Sequence, residues 1–285
     1  MVAIDARGMR LGVIGMRNNF DRAGRMIVDK RIDHGTAFDW GRVSDDYARY
    51  RNIYPSEFYR RILDRGLCRD GQTVLDLGTG TGVLPRALAR YGASWIGIDI
   101  SENQIAQARR LSEGLNVEYR VMPAERIDFP DGTFDVITAC QCFWYFDHEA
   151  IHNKLHRMLA DGGRILVLYM AWLPFEDRIA GASERLILKY NPNWSGEGER
   201  MRPISIPDCY RDGFKIVHHE EYTLEVPFTR ESWNGRVKAC RGIGASLHEG
   251  EVSSWEREHM RLLERIAPER FKVLHYAAMA ELKRI

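Results

Sequence analysis

Three glycines at alternate positions, Gly78, Gly80 and Gly82, close the run Val74-Leu-Asp-Leu-Gly-Thr-Gly-Thr-Gly82. Such glycines let a backbone turn tightly and lie close against a ligand. Residues 73–77 before them read as a short apolar strand, and residues 83–91 after them as a helix that stops at Gly92. A glycine turn between strand and helix is where a doubly wound sheet binds its ligand, beyond the carboxyl ends of its strands. Two ligands compete for it. The dinucleotide fingerprint, G-x-G-x-x-G or A, needs a small residue where this chain has Val83, so the fingerprint fails. Asp76, two residues before Gly78, would repel a pyrophosphate. It suits a ligand that brings an ammonium group and no phosphate. S-adenosylmethionine is one: an amino acid, a sulfonium, a ribose and an adenine. A nicotinamide cofactor and a turn that binds nothing stay as alternatives.

The next strand, 95–100, carries Asp99 near its tip, placed to accept hydrogen bonds from both hydroxyls of a ribose. Either cofactor predicts that acid, so it supports cofactor binding without choosing between them. Ser101 and Gln104 are spaced as a capping box for the following helix. Further strands are read at 117–121, 135–140 and 165–170, with a helix at 148–159; strands separated by helices make a parallel sheet. Residues 43–67 read as one or two helices, 179–190 and 251–266 as helices, and 214–226 as a strand, while 271–282 is ambiguous.

Other chemistry-bearing side chains fall around the same edge. Cys140 and Cys142 alternate at the end of a strand, which puts both thiols on one face; buried inert thiols are the plain reading. Tyr169, Trp172 and Trp194 are aromatic candidates for a pocket. Arg236, Lys238 and Arg241 share a helix read over 230–247. Such a cluster would suit an anionic substrate, a solvated basic face being the alternative.

Val74 to Gly82, Asp99, Ala124-Glu125, Phe134-Asp-Val-Ile137 and Asp161-Gly-Gly-Arg-Ile165 together resemble the successive motifs of class I S-adenosylmethionine-dependent methyltransferases. The likeness is to the small-molecule group that includes the ubiquinone-biosynthesis and trans-aconitate methyltransferases, and it covers about residues 71–170. Tyr47-Ala-Arg-Tyr-Arg51 with Tyr54-Pro55 also resembles that group's N-terminal segment, which folds over the cofactor. The resemblance implies an α/β fold, a Rossmann-like doubly wound seven-stranded sheet whose last strand, at 271–282, is antiparallel. An α-helical lid would come from the N-terminus and from insertions after the fifth and sixth strands.

The resemblance also implies roles. Asp76, Gly78 and Gly80 would face the methionine part of S-adenosylmethionine, with Thr79 also in the cofactor set, Asp99 would hold the ribose, and Ile100 would pack on the adenine. Ala124 and Glu125 would lie at the adenine edge, Gln104 completes the cofactor set, and Gln141 would sit near the methyl group. Tyr47 and Arg51 would close over the cofactor carboxylate, since a guanidinium matches a carboxylate fork. Where the group often has a His-Trp pair, this chain has Trp144-Tyr145, so the obvious histidine base is gone. Tyr145 and His148 are the substitutes, and Gln141, Trp144, Tyr145 and His148 form the catalytic candidates. Trp172, Trp194, Arg236 and Arg241 are the substrate candidates, and no metal is expected. A missing base favours an acceptor that is already nucleophilic, such as a carboxylate, a thiolate or an amine. The expected activity is methyl transfer by in-line displacement to a small, anionic or nucleophilic metabolite. Its alternatives are a protein or RNA methyltransferase and a cofactor-binding protein without catalysis.

Composition narrows the partners. The 285 residues are 45% hydrophobic and 28% charged, as in ordinary globular chains. Lys and Arg number 41 against 40 Asp and Glu, so the chain carries no broad basic footprint for nucleic acid. Five scattered cysteines show no CxxC pair and no His/Cys ligand spacing, and read as free thiols of a cytoplasmic protein. The longest apolar run, 165–175, is much shorter than the roughly 20 residues that span a bilayer, so no membrane partner is expected. Residues 1–30 read as a poorly ordered extension, with Met26 as an alternative start. One methyltransferase domain is expected over 31–285, with a cofactor core at about 71–170 and lid and substrate elements at 43–67, 171–213 and 229–268. The oligomeric state stays open.

Overall fold

The structure, a computed structural model, describes residues 19–20, 27–30 and 32–285. Seven strands form one sheet: β1 (Thr73–Leu77), β2 (Ser94–Asp99), β3 (Val117–Val121), β4 (Phe134–Cys140), β5 (Leu159–Trp172), β6 (Phe214–Thr229) and β7 (Arg270–Arg284). Their order is β3-β2-β1-β4-β5-β7-β6. Pairs among β1 to β5 are parallel, and β7 is antiparallel to both its neighbours, as the resemblance implied. The helices are α1 (Ser44–Tyr50), α2 (Ser56–Asp64), α3 (Val83–Leu88), α4 (Glu102–Leu111), α5 (His148–Met158), α6 (Arg178–Tyr190), α7 (Arg230–Lys238) and α8 (Glu249–Ile266).

Strand alternation explains the two-sided core. Val74, Val136, Leu166 and Leu168 point to one face, where Ile62, Ile187, Val237 and Leu263 from α2, α6, α7 and α8 cover them. Leu75, Ile137, Ile165 and Val167 point to the other face, under Ile151 and Leu155 of α5. A parallel sheet buried on both faces needs the near-continuous apolar strands that the sequence supplies.

Four details settle or correct the sequence reading. The 43–67 region is two helices, parted at Tyr54-Pro55, because the residue before a proline avoids helical geometry. The helix expected over 230–247 stops at Lys238: Gly244 N donates to Lys238 O (3.0 Å) and folds the chain back. A Cβ on Gly244 would lie 2.4 Å from Val43 Cγ1, so that turn needs glycine to dock on the N-terminal segment. Strand β5 is longer than 165–170, since pairing with β4 starts at Leu159 and resumes at Arg164 past the Gly162 turn. Ser101 does cap α4, accepting from Gln104 N (3.4 Å), but the box is half made. The Gln104 amide donates instead to Trp40 O (3.0 Å) and ties the segment before α1 to α4.

Ile27 and Phe38 exchange two backbone hydrogen bonds, and Asn19–Phe20 pairs antiparallel with Ile27–Val28. Residues 1–18 and 21–26 of the expected 1–30 extension, Met26 included, lie outside the described residues. Among the described residues no helix is long and apolar enough to cross a membrane.

Candidate functional site

A cavity of about 620 Å³ opens over the carboxyl ends of β1 to β5. Its place follows from topology. β1 lies between β2 and β4, so the chain reverses direction across the sheet there, and a crevice opens at that switch point.

The glycine turn after β1 forms one wall. Gly78 and Gly80 line the cavity with φ of 59° and 56°, a left-handed region that favours glycine. A Cβ on Gly78 would lie 2.8 Å from Cys142 Sγ, so the bare backbone is what lets the β1 and β4 loops meet. Asp76 does not reach the cavity. It is 2% exposed behind the turn, where Oδ2 accepts from Thr79 Oγ1 (2.6 Å) and Oδ1 from Thr138 Oγ1 (2.6 Å). Thr79 is spent on that bond and does not line the cavity either. Expected to face a ligand, the pair instead braces the turn that does.

Burial pushes Asp76 up to about 6, while the two threonine donors pull it back. An unfolded aspartate titrates near about 3.9. The folded chain thus holds an extra proton between those values, and this group's contribution to stability falls as pH rises through that window. Chemical denaturation should show Asp76→Asn gaining on the wild type by on the order of 2 kcal/mol between about pH 4 and pH 7. A stability difference that ignores pH would mean Asp76 is not strained by burial.

Asp99 stands at the cavity from β2. Its Oδ2 accepts from Gly80 N and its Oδ1 from Ser101 N, both at 2.9 Å. Burial raises its pKa, and these backbone donors oppose the rise. Each oxygen keeps a further acceptor site, the pattern a vicinal diol needs. Ile100, Met122, Pro123 and Ala124 add an apolar wall fit for a flat ring, with Glu125 beside them. Gln104 also lines the cavity, and its buried Oε1 has no hydrogen-bond partner.

The opposite wall is basic and aromatic. Arg51 lies over the Tyr47 ring (4.6 Å to the centroid) and donates to its hydroxyl (3.1 Å). Arg236 is 4% exposed, sits 5.0 Å over the Trp172 ring, and leaves Nε and Nη1 unpartnered. Burial, then the charge of Arg51, pushes Arg236 down to about 9. The expected basic crown is otherwise satisfied within the chain. Arg241 pairs with the buried Asp33 (Nε–Oδ2 2.8 Å) and donates to Tyr145 Oη (3.2 Å). Lys238 pairs with Asp46 (3.2 Å) and Glu256 (3.0 Å) and does not line the cavity.

Gln141, Trp144 and Tyr145 line the cavity after β4. Gln141 adopts φ of 70°, strained for a residue with a side chain, and its Nε2 donates to Met170 O (2.6 Å). That kink breaks the strand alternation, which corrects the expected shared face of the thiols. Cys140 packs with one core layer and Cys142 with the other, donating to Leu77 O (3.0 Å). Burial pushes the Cys140 thiol up to about 12, which disfavours its thiolate. Trp144 stands at the mouth, edge-on to Tyr169 (4.7 Å), and Trp194 packs beside Trp172 (6.4 Å) within the cavity. His148 does not line the cavity. It begins α5 facing the core, its ring tilted against Phe143 (4.5 Å between centroids) with Nδ1 3.0 Å from Tyr210 Oη. Among the described residues no histidine lines the cavity.

Sequence reasoning missed Glu199 and Tyr276. Glu199 accepts from Tyr169 Oη (3.0 Å) and Tyr276 Oη (2.7 Å) at the cavity wall. Register pairs Ala171 with Tyr276 and Tyr169 with Ala278, so the two tyrosines are diagonal neighbours on one face. Nothing local to Glu199 announces that arrangement.

A methyltransferase-domain family model matches residues 74–163. A demethylmenaquinone methyltransferase of Thermus thermophilus is 40% identical over 114 residues, covering 38% of this chain and 52% of the relative. A ubiquinone biosynthesis O-methyltransferase of Pseudomonas putida is 30% identical over 156 residues, covering 53% of this chain and 67% of the relative. With 49%, 52% and 63% of three of them covered, the chain spans about half the length or somewhat more of these curated relatives. A solved type II methyltransferase candidate from Anaeromyxobacter dehalogenans shares the fold, with a TM-score of 0.57 at 20% identity over 80% of this chain and 96% of that one.

Proposed function

The chain belongs to the class I S-adenosylmethionine-dependent methyltransferases, and we propose on that premise that it moves a methyl group onto a small, anionic or otherwise nucleophilic metabolite. The observation that carries the reading is one cavity joining the glycine turn, Asp99 and two guanidiniums with no carboxylate partner among the described residues. In this reading Asp99 takes the ribose hydroxyls, Gly78 and Gly80 offer backbone to the methionine part, and Ile100, Ala124 and Glu125 hold the adenine. Arg51 with Tyr47 takes the cofactor carboxylate, and the unpartnered Gln104 oxygen accepts a cofactor donor. One carboxylate does not use two guanidiniums fully, so Arg236 is assigned to an anion on the acceptor. Trp172 and Trp194 wall that acceptor, and Gln141, Trp144 and Tyr145 surround the transfer point.

Bound S-adenosylmethionine would supply a methyl already activated by its positive sulfur. The chain's share is then in-line placement and exclusion of water. That no histidine among the described residues lines the cavity supports an acceptor that needs no base. Five unpaired cysteines fit a cytoplasmic setting.

Calorimetry should show S-adenosylmethionine binding far more tightly than NAD; equal affinities would overturn the cofactor assignment. Incubation with a metabolite extract should then release S-adenosylhomocysteine. A chain that binds the cofactor and releases none across extracts would be a binding protein without catalysis.

A further inference from the structure

Outside the cavity lining three side chains of different chemistry converge. Glu149 and His152, three residues apart on α5, share a helix face, and Cys209 meets them from the short turn Asp208–Tyr210. A carboxylate oxygen, an imidazole nitrogen and the sulfur all lie within 4.8 Å of one another. The histidine is also oriented. His152 Nδ1 is 2.9 Å from the carbonyl oxygen of His148. A carbonyl can only accept, so that bond places the ring proton on Nδ1 and leaves the Nε2 lone pair for another partner. Metal-binding histidines are held in this manner by a second hydrogen bond.

The surroundings favour a cation. The carboxylates of Glu149, Asp208 and Asp147 all lie within electrostatic reach of Cys209. Arg211 pairs with Asp208 (2.8 Å) and offsets that one charge, while Glu149 has no ion-pair partner among the described residues. The negative charge left unpaired there would draw a positive ion.

We propose that Glu149, His152 and Cys209 form a zinc site that ties α5 to the segment leading into β6. Thiolate, imidazole and carboxylate are the ligand types zinc takes, and three protein ligands leave a fourth position for water. Magnesium and calcium prefer oxygen throughout and are disfavoured by the sulfur. On binding, the Cys209 proton passes to solvent and a thiolate–zinc bond forms, with no redox change. The tie bears on the cavity: Tyr210 packs on Phe143 (5.7 Å), and Pro203, Ile204 and Ser205 of the preceding segment line the wall.

The test uses the full chain, stripped with a chelator and titrated with Co²⁺ and then Zn²⁺. One Co²⁺ per chain should bind with a thiolate charge-transfer band and the visible bands of tetrahedral cobalt, and Zn²⁺ should displace it. Cys209→Ser should lose the charge-transfer band, and His152→Ala should weaken Zn²⁺ binding at least about tenfold. Both variants should keep the wild-type circular dichroism and S-adenosylhomocysteine affinity, which separates this result from the fate of the methyltransferase reading. No metal binding by the wild type, a spectrum without the thiolate band, or a band that survives in Cys209→Ser would each overturn the proposal.

Discussion

Asp99→Ala should weaken S-adenosylmethionine binding by about 30- to 150-fold, which corresponds to about 2–3 kcal/mol for lost charge-assisted hydrogen bonds. The carboxylate is already fixed before any ligand arrives, because Gly80 N and Ser101 N hold one side of it. A ribose diol would therefore meet an acceptor pair that needs no reordering, and its full energy would appear in the affinity. The fold should tolerate the change better than the ligand does. Burial raises the Asp99 pKa, so removing the charge relieves a desolvation cost while it frees two backbone donors. Asp99→Asn, which keeps one acceptor oxygen, should fall between the two. Calorimetry paired with thermal melts checks this: a folded Asp99→Ala chain with unchanged affinity would place the ribose elsewhere.

Asp99 and Gly78 to Gly82 were readable because a strand, a glycine turn and a helix are set by neighbours within the chain. Strand β7 was harder. Its Ala277 to Ala280 run looks helical by propensity, yet these residues are buried between β5 and β6, where small side chains fit under the covering helices. The α7 end failed for a similar reason, since the bond from Gly244 N to Lys238 O overrides local preference. The basic cluster shows the limit most sharply. Arg236, Lys238 and Arg241 look alike in the sequence. Their fates are decided by Asp33, Asp46 and Glu256, which reach them only through the tertiary fold. His148 was expected among the catalytic residues and Asp76 against the cofactor, but which side of a loop a residue faces is not a property of spacing. Glu199 and Tyr276 meet across the β5–β7 register, which no single segment records.

Arg236→Met should make the ligand-free chain more stable and the loaded chain poor at binding an anionic acceptor. The guanidinium is nearly buried with two nitrogens unpartnered, and such a group costs about 1–3 kcal/mol. The Trp172 face lessens that cost, so the gain belongs at the lower end of the range. Methionine keeps the apolar stem that packs against the ring and drops the charge. The pH dependence has a definite sign. Arg236 is pushed down to about 9 from an ordinary 12.5, so the unfolded chain holds the extra proton between those values. The penalty is therefore fully present below about 9 and relieved as pH rises above it, and the gain of Arg236→Met should be flat across neutral pH. Arg51→Met makes the contrast: it should weaken S-adenosylhomocysteine, while Arg236→Met should spare it. Melting curves and calorimetry on both variants decide the matter. If Arg236→Met loses S-adenosylhomocysteine as strongly as Arg51→Met, both guanidiniums serve the cofactor carboxylate, and the anionic acceptor loses its support. If Arg236→Met melts lower than the wild type, the arginine is holding the lid rather than waiting for an anion.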